Sequence, residues 1–326
     1  MELLVLDQAQ TWELLSVESC MPVMAAALSA LARGQGCQPL RTVMAPEGAA
    51  GLLGLMPAYL DGAEPALGVK VIGVFPGNRE RGQDSHQGAV VLLNPETGEP
   101  RAFIDASALT GIRTAAVSAL ATQELAREDA GDLALIGVGV QAAYHLEALA
   151  AVRPLRRVRV VGRSGASARR FAREWGGRFP FPVQPVADVA EAVRGADLVV
   201  TATTATAPVL AGAWLAPGAH VNVIGGPGCR EVDNEALARA ALFVDSREAV
   251  AAESGEYRAA LAEGAIGPEH VRAELGEVLA GLRPGRTGPE EITLFKSLGI
   301  AVEDVAAAAF LYEQARRRGV GTWVKM

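Results

Sequence analysis

The chain is short of lysine and cysteine, carries no excess of positive charge and contains no long apolar run. Of its 30 basic residues only Lys70, Lys296 and Lys325 are lysine, and the net charge is −7. With no Lys/Arg-rich stretch interleaved with aromatics, there is no basic footprint for nucleic acid. The three cysteines, Cys20, Cys37 and Cys229, are odd in number and lack the close pairing of metal and redox motifs, so free thiols and no structural metal are expected. Met21 to Leu31 is too short to span a bilayer, and the segment from Met1 to Asp7 lacks the positive start of a signal peptide, which predicts a cytoplasmic protein with no membrane partner. What is present is a globular composition. Half of the 326 residues are hydrophobic and 21% are charged, enough for a sizeable core and two domains.

The most informative segment is Asp132-Leu-Ala-Leu-Ile-Gly137-Val-Gly139-Val140-Gln141-Ala142, an apolar strand leading through Gly-x-Gly-x-x-Ala into a helical stretch. Glycine at these places allows a tight turn and a close backbone approach to pyrophosphate, with a helix N-terminus facing the negative charge. A second apolar run, Arg157 to Gly162, ends roughly 20 residues beyond the glycines, where such a fold meets the adenosine ribose. An acid there would repel a 2′-phosphate. This chain has Arg163 and Ser164 instead, which favours NADPH over NADH; the bland alternative is a solvated Arg163 stacked on adenine.

From about Asp129 strands alternate with helical segments (strands 132–137, 157–162, 197–202, 220–225 and 241–245; helices 140–151 and 166–175), the signature of a doubly wound parallel sheet. The first third is α+β: a helical stretch from Val17 to Arg33 and strand-like segments at 41–44, 51–56, 67–75, 88–94 and 101–105. Gly299 to Arg318 reads as one long helix, and Gly281 to Pro289 as the most mobile loop. The expected fold is therefore α/β: a Rossmann domain at 126–299 and an α+β substrate-binding and dimerisation domain at 1–125, onto which 300–326 packs back.

Three cations in the first domain sit where solvated charges seldom do. Lys70 is flanked by Val69, Val71 and Ile72, Arg41 opens an apolar strand, and Arg113 lies in Leu109-Thr-Gly-Ile-Arg-Thr-Ala-Ala-Val. A buried cation needs an anion, either a ligand or a carboxylate of the protein itself. Two guanidinium groups and an ammonium suit a substrate carboxylate.

These segments, with Gly54-Leu-Met56-Pro-Ala-Tyr, Ser85-His86-Gln-Gly, Thr201-Ala-Thr203-Thr and Phe295-Lys-Ser-Leu-Gly299, resemble the ornithine cyclodeaminase/mu-crystallin family along nearly the whole chain. The resemblance implies a homodimer formed through the first domain and bound NAD(H) or NADP(H). It also implies a carboxylate site of Arg41, Lys70 and Arg113 beside Met56. Cofactor contacts fall to Ser85, Thr114, Gly137, Gly139, Val140, Gln141, Arg163, Ser164, Thr203 and Gly299. Family members form or reduce C=N bonds at an amino-acid α-carbon, as ornithine cyclodeaminases, alanine dehydrogenases and ketimine reductases.

The family's deaminating members carry an Asp just after a glycine pair following the strand at His220 to Ile224. Here the sequence is Gly225-Gly-Pro-Gly-Cys229-Arg230-Glu231-Val-Asp233, a shorter loop with no acid beside the glycines; Glu231 and Asp233 are expected in the next helix. Without that carboxylate, reduction of a preformed protonated imine is easier than loss of ammonia. The expectation is an NAD(P)H-dependent reductase of ketimine carboxylates such as Δ1-pyrroline-2-carboxylate or Δ1-piperideine-2-carboxylate. The alternatives are a cyclodeaminase, an alanine dehydrogenase, or a nucleotide-dependent small-molecule binding protein without turnover. Lys70 and His86 are the proton-donor candidates; His86, read as a loop residue, has a backbone-bonded hinge as its plain alternative. His145, His220 and His270 are given structural roles.

Overall fold

The computed structural model describes residues 2–62 and 64–325. In chain order the elements are β1 (Glu2–Leu6), α1 (Gln8–Leu14), α2 (Val17–Ala32), β2 (Gly36–Cys37), β3 (Thr42–Met44), β4 (Leu52–Leu60), β5 (Ala66–Val74), β6 (His86–Leu93), β7 (Pro100–Asp105) and α3 (Ala106–Leu125). Then come β8 (Asp132–Ile136), α4 (Val140–Val152), β9 (Arg157–Val161), α5 (Gly165–Trp175), β10 (Val183–Pro185), α6 (Val189–Val193), β11 (Leu198–Thr201), β12 (His220–Val223), α7 (Asn234–Arg239) and β13 (Ala241–Val244). The chain ends with α8 (Arg247–Glu253), α9 (Gly255–Ala262), β14 (Val271–Glu274), α10 (Leu275–Leu279), β15 (Thr293–Lys296), α11 (Ala301–Arg318) and β16 (Thr322–Lys325). Two compact units result, Met1–Arg113 with Ile300–Met326, and Thr114–Gly299. The boundary between the units lies within α3, between Arg113 and Thr114. No single helix among the described residues is long and apolar enough to cross a membrane.

The first unit is built on one sheet in the order β16-β1-β7-β6-β5-β4-β2, with β3 also paired to β4. Strands β4 to β7 form an antiparallel meander. In β5 the alternation buries Ala66, Gly68, Lys70 and Ile72 on one face, against which α11 packs; α11 also lies on β4, and α2 packs on α11 and β4. Period-two alternation therefore forces Lys70 inward together with its apolar neighbours. At Gly68 a Cβ would lie 2.6 Å from the Val91 carbonyl oxygen, so glycine is required by the backbone of the neighbouring strand β6, while Val305 of α11 sits in ordinary contact above it. Helix α11 is rich in alanine and mostly buried. Its first turn carries Glu303 and Asp304 and its last turn Arg316 to Arg318, charges that complement the helix dipole, and Gly319 ends it at φ +67°.

The second unit carries eight parallel strands in the order β10-β9-β8-β11-β12-β15-β13-β14. Its first five members have the doubly wound order, reversing between β8 and β11, and ligands bind such sheets beyond the carboxyl ends of the strands near that reversal. Residues 133–136, 198–201 and 220–223 are buried throughout, as a parallel sheet covered on both faces requires. The short strands β10, β14 and β15 extend the sheet beyond the sequence reading. The segment from Gly281 to Pro289, expected to be the most mobile, has no regular structure but is tethered. Arg286 within it donates to the Leu125 carbonyl at 2.6 Å and to Thr293 Oγ1 at 3.1 Å, since one guanidinium can satisfy several acceptors at once.

Candidate active site

In the first unit, the cations singled out by sequence converge on carboxylates of the protein. Lys70 pairs in register with Met56 on β4 and Val90 on β6, and both Lys70 and Met56 are buried. Lys70 Nζ lies 2.6 Å from Asp304 Oδ2. Arg113, on α3, donates from Nε to Asp304 Oδ1 at 3.0 Å and from Nη1 to Glu303 Oε2 at 2.6 Å. All four side chains are almost fully buried. Of the two anion sources allowed by the sequence, the structure supplies the internal one: Glu303 and Asp304 in the first turn of α11. Neither acid had been read from the sequence; the available signal was an adjacent acid pair inside the apolar segment Ile300-Ala-Val-Glu-Asp-Val.

Burial lowers the Lys70 pKa to about 8, with Arg113 and Arg41 pushing the same way and Asp304 opposing them. Burial would raise the Asp304 pKa, but Arg113 and Lys70 hold the carboxyl below its ordinary value. Desolvation pushes the Cys20 thiol of α2 up to about 12, so it is neutral beside this cluster. Arg41 precedes β3 and is half-buried.

His86 is the first residue of β6 and exposed, not a loop residue as read from sequence, because the β5–β6 pairing extends to Val74↔His86. Its Nδ1 lies 3.1 Å from Ser85 Oγ, and its carbonyl accepts a hydrogen bond from Ser107 Oγ at 2.6 Å.

In the second unit, Gly137 has φ +118°, and a Cβ there would meet the Ala202 carbonyl oxygen at 2.4 Å. Gly139 caps α4 without any side-chain hydrogen bond and has open space where a Cβ would stand. Thirteen residues of helix thus begin with free backbone N–H groups beside an exposed Val140. The Gln141 Oε1 atom is buried without a hydrogen-bond partner. This cradle fits the pyrophosphate of a dinucleotide. At the end of β9, Arg163 is exposed and Ser164 caps α5 by accepting from Ser167 N at 3.2 Å. The Arg169 guanidinium folds back over the same turn, with Nη1 3.1 Å from where a Gly165 Cβ would be.

At the carboxyl ends of β11, β12 and β15 lies a second buried network. Glu231 is fully buried and accepts from Thr203 N and Thr203 Oγ1, both at 2.7 Å, from Thr201 Oγ1 at 3.0 Å and from Gly225 N at 2.6 Å. It belongs to the loop, not to α7, whose N-cap is Asp233. Four donors converging on its carboxylate hold it there in place of helical bonds. Lys296 Nζ holds the other side of the same residue, donating to the Gly225 carbonyl at 2.6 Å and pairing with Glu256 at 3.2 Å. Gly299, at φ +72°, donates its N–H to Asp245 Oδ2 at 2.7 Å. Thr114 is buried on α3. The remaining histidines occupy structural positions. His145 bridges the Gln141 carbonyl (Nδ1, 2.7 Å) and Ser118 Oγ (Nε2, 2.8 Å), His220 meets Thr293, and His270 meets the Leu237 carbonyl. Among the described residues no cluster of His, Cys, Asp and Glu could hold a metal ion.

The model of the ornithine cyclodeaminase/mu-crystallin family matches residues 1–319. The chain is 40% identical to the ketimine reductase mu-crystallin of Rattus norvegicus over 298 residues, covering 90% of this chain and 91% of that protein. It is 37% identical to a Delta(1)-pyrroline-2-carboxylate reductase of Bacillus cereus over 322 residues, 98% of each. Among solved structures it is similar to Thermococcus litoralis Delta(1)-pyrroline-2-carboxylate reductase in complex with NADH and L-proline, with a TM-score of 0.95, 37% identity and coverage of 98% of this chain and 99% of that one. An archaeal alanine dehydrogenase dimer with bound NAD superposes over the whole of both chains with a TM-score of 0.93 at 36% identity.

Proposed function

The chain belongs to the ornithine cyclodeaminase/mu-crystallin family, and we propose that it is an NADPH-preferring reductase of the C=N bond of cyclic ketimine carboxylates, Δ1-pyrroline-2-carboxylate and Δ1-piperideine-2-carboxylate being the natural candidates. The observation that carries this reading is the glycine loop after β12. The loop has no acid beside its glycines, and its nearest carboxylate, Glu231, is wholly occupied by the threonines and Gly225. Nothing there deprotonates a substrate ammonium. The likeness to proteins named as reductases, one of them in complex with NADH and L-proline, supports the same choice.

In this reading Arg41, Lys70 and Arg113 hold the substrate carboxylate beside Met56. The nicotinamide, when bound, supplies hydride to the imine carbon. The protein orients the imine and provides a proton to the nascent amine, with Lys70 and His86 as donors. The cradle at Gly137, Gly139, Val140 and Gln141 takes the pyrophosphate; Ser85, Thr114, Thr203 and Gly299 complete the cofactor contacts. Arg163, Ser164 and Arg169 at the head of α5 favour a 2′-phosphate. The protein is also proposed to be a homodimer. On the sheet face turned away from α2 and α11, Pro57, Val69, Val91, Phe103 and Val5 lie in one cross-strand row, with Leu55 and Tyr59 exposed beside it. A continuous apolar face of this kind marks a protein interface.

The test is the loss of NADPH absorbance on adding either cyclic ketimine. Rapid, saturable oxidation is the expected outcome. Ammonia release from ornithine in the presence of NAD, without net oxidation of NADPH by the ketimines, would replace this reading by cyclodeamination.

A further inference from the structure

The geometry points to Asp304 as a positioning residue for the proposed reaction: by dividing its two oxygens between Lys70 Nζ and Arg113 Nε, it keeps Lys70 an ammonium and holds both cations in one fixed arrangement. The inference rests on the placement of Lys70 and Arg113 at the substrate carboxylate. It begins from two separate contacts on one side chain, Oδ2 to Lys70 at 2.6 Å and Oδ1 to Arg113 at 3.0 Å. Asp304 is fully buried in the first turn of α11, a helix that packs on β4 and β5, and each of its carboxylate oxygens faces a different cation.

The groups facing Lys70 come from several elements. Helix α11 contributes Asp304, α3 contributes Arg113, and Arg41 precedes β3; Glu303 of α11 and the neutral Cys20 thiol of α2 act on Arg113 rather than on Lys70 directly. The neighbouring strands place Met56 and Val90 beside it in register. Desolvation, Arg113 and Arg41 all favour loss of the Lys70 proton, while Asp304 attracts it by charge and by hydrogen bond. Removing the Asp304 charge leaves the three opposing influences unanswered. A neutral Lys70 neither grips a carboxylate nor delivers a proton. Glu303, in contrast, is directed to Arg113 Nη1 at 2.6 Å.

The chain has only three lysines, so protein carrying [ε-13C]lysine gives three titratable signals, the Lys70 signal being the one absent from Lys70→Arg. In Asp304→Asn the Lys70 midpoint is expected to fall by about one pH unit or more. The alkaline limb of kcat/KM for the ketimine should move down with it, and Glu303→Gln should move the midpoint less. An unmoved midpoint in Asp304→Asn overturns the role of Asp304. A midpoint that moves while the kcat/KM limb stays in place instead overturns the placement of Lys70 at the substrate. Should Asp304→Asn fail to fold, the native protein carrying [γ-13C]aspartate provides the test. The Asp304 carboxyl signal should inflect at the Lys70 midpoint, and a signal blind to that titration overturns the proposal.

Discussion

An arginine where an acid would select against phosphate has a measurable consequence. Arg163 is exposed at the end of β9, and a charge-assisted hydrogen bond to a 2′-phosphate contributes about 1.5–3 kcal/mol. Arg163→Ala should therefore raise KM for NADPH roughly 10-fold or more while leaving KM for NADH unchanged, as steady-state kinetics with both cofactors would reveal. Arg113 calls for a different kind of experiment, because it serves two buried carboxylates as well as the expected substrate. Removing one partner from a buried ion pair costs about 3–5 kcal/mol, so truncation to alanine mixes unfolding with lost binding. Residue by residue, the cations were legible because Lys70 and Arg113 interrupt apolar segments. Their partners were not: Glu303 and Asp304 lie about 190 positions from Arg113, and farther still from Lys70, on a helix whose acidic first turn is already explained by the helix dipole.

Helices α3 and α4 are joined by a histidine that is held neutral. His145 Nδ1 donates to the Gln141 carbonyl and its Nε2 accepts from Ser118, which spans the two helices. Burial lowers its pKa to about 4, and His220, under burial and the nearby Arg286, falls to about 3. Below pH 6.5 the unfolded chain takes up protons that the folded chain refuses, so folding stability is complete above pH 6.5 and is lost as the pH drops towards 4. The contribution of His145 to that loss is about 2–3 kcal/mol. Urea denaturation at pH 7 and pH 4.5 should show the difference, and His145→Gln should shrink it. Among elements, those with a period were readable: β5, β8, α4 and α11 begin within two residues of where the sequence placed them. Helix α3 was not singled out as a helix. Its residues 115–117 and 119–121 are buried on every side, so no amphipathic stripe betrays the 3.6-residue repeat. Glu231 was missed for a related reason: neither its burial nor the four donors around it, from residues 201–203 and Gly225, has a local signature.

At the scale of the molecule, the parallel alternation announced the second sheet, whereas the first sheet's order and register depend on pairings that alternation alone does not specify. Registered rows are what reveal the outward apolar face. Phe103, 48% exposed at the middle of that face, is the place to test it. Phe103→Asp should convert a dimer to monomer in sedimentation velocity while circular dichroism stays that of the native fold. The distribution of primary amines offers a practical handle on the same protein. Lys70 and Lys296 are each at most 2% exposed and held by carboxylates, whereas Lys325 in β16 is open to solvent. Amine-directed coupling reagents applied to the native chain should accordingly modify Lys325 and spare Lys70 and Lys296, with peptide mapping by mass spectrometry locating the adducts. The scarcity of lysine thus gives this protein a defined side-chain point of attachment for surfaces and dyes, with both buried ammonium groups out of the reagent's reach.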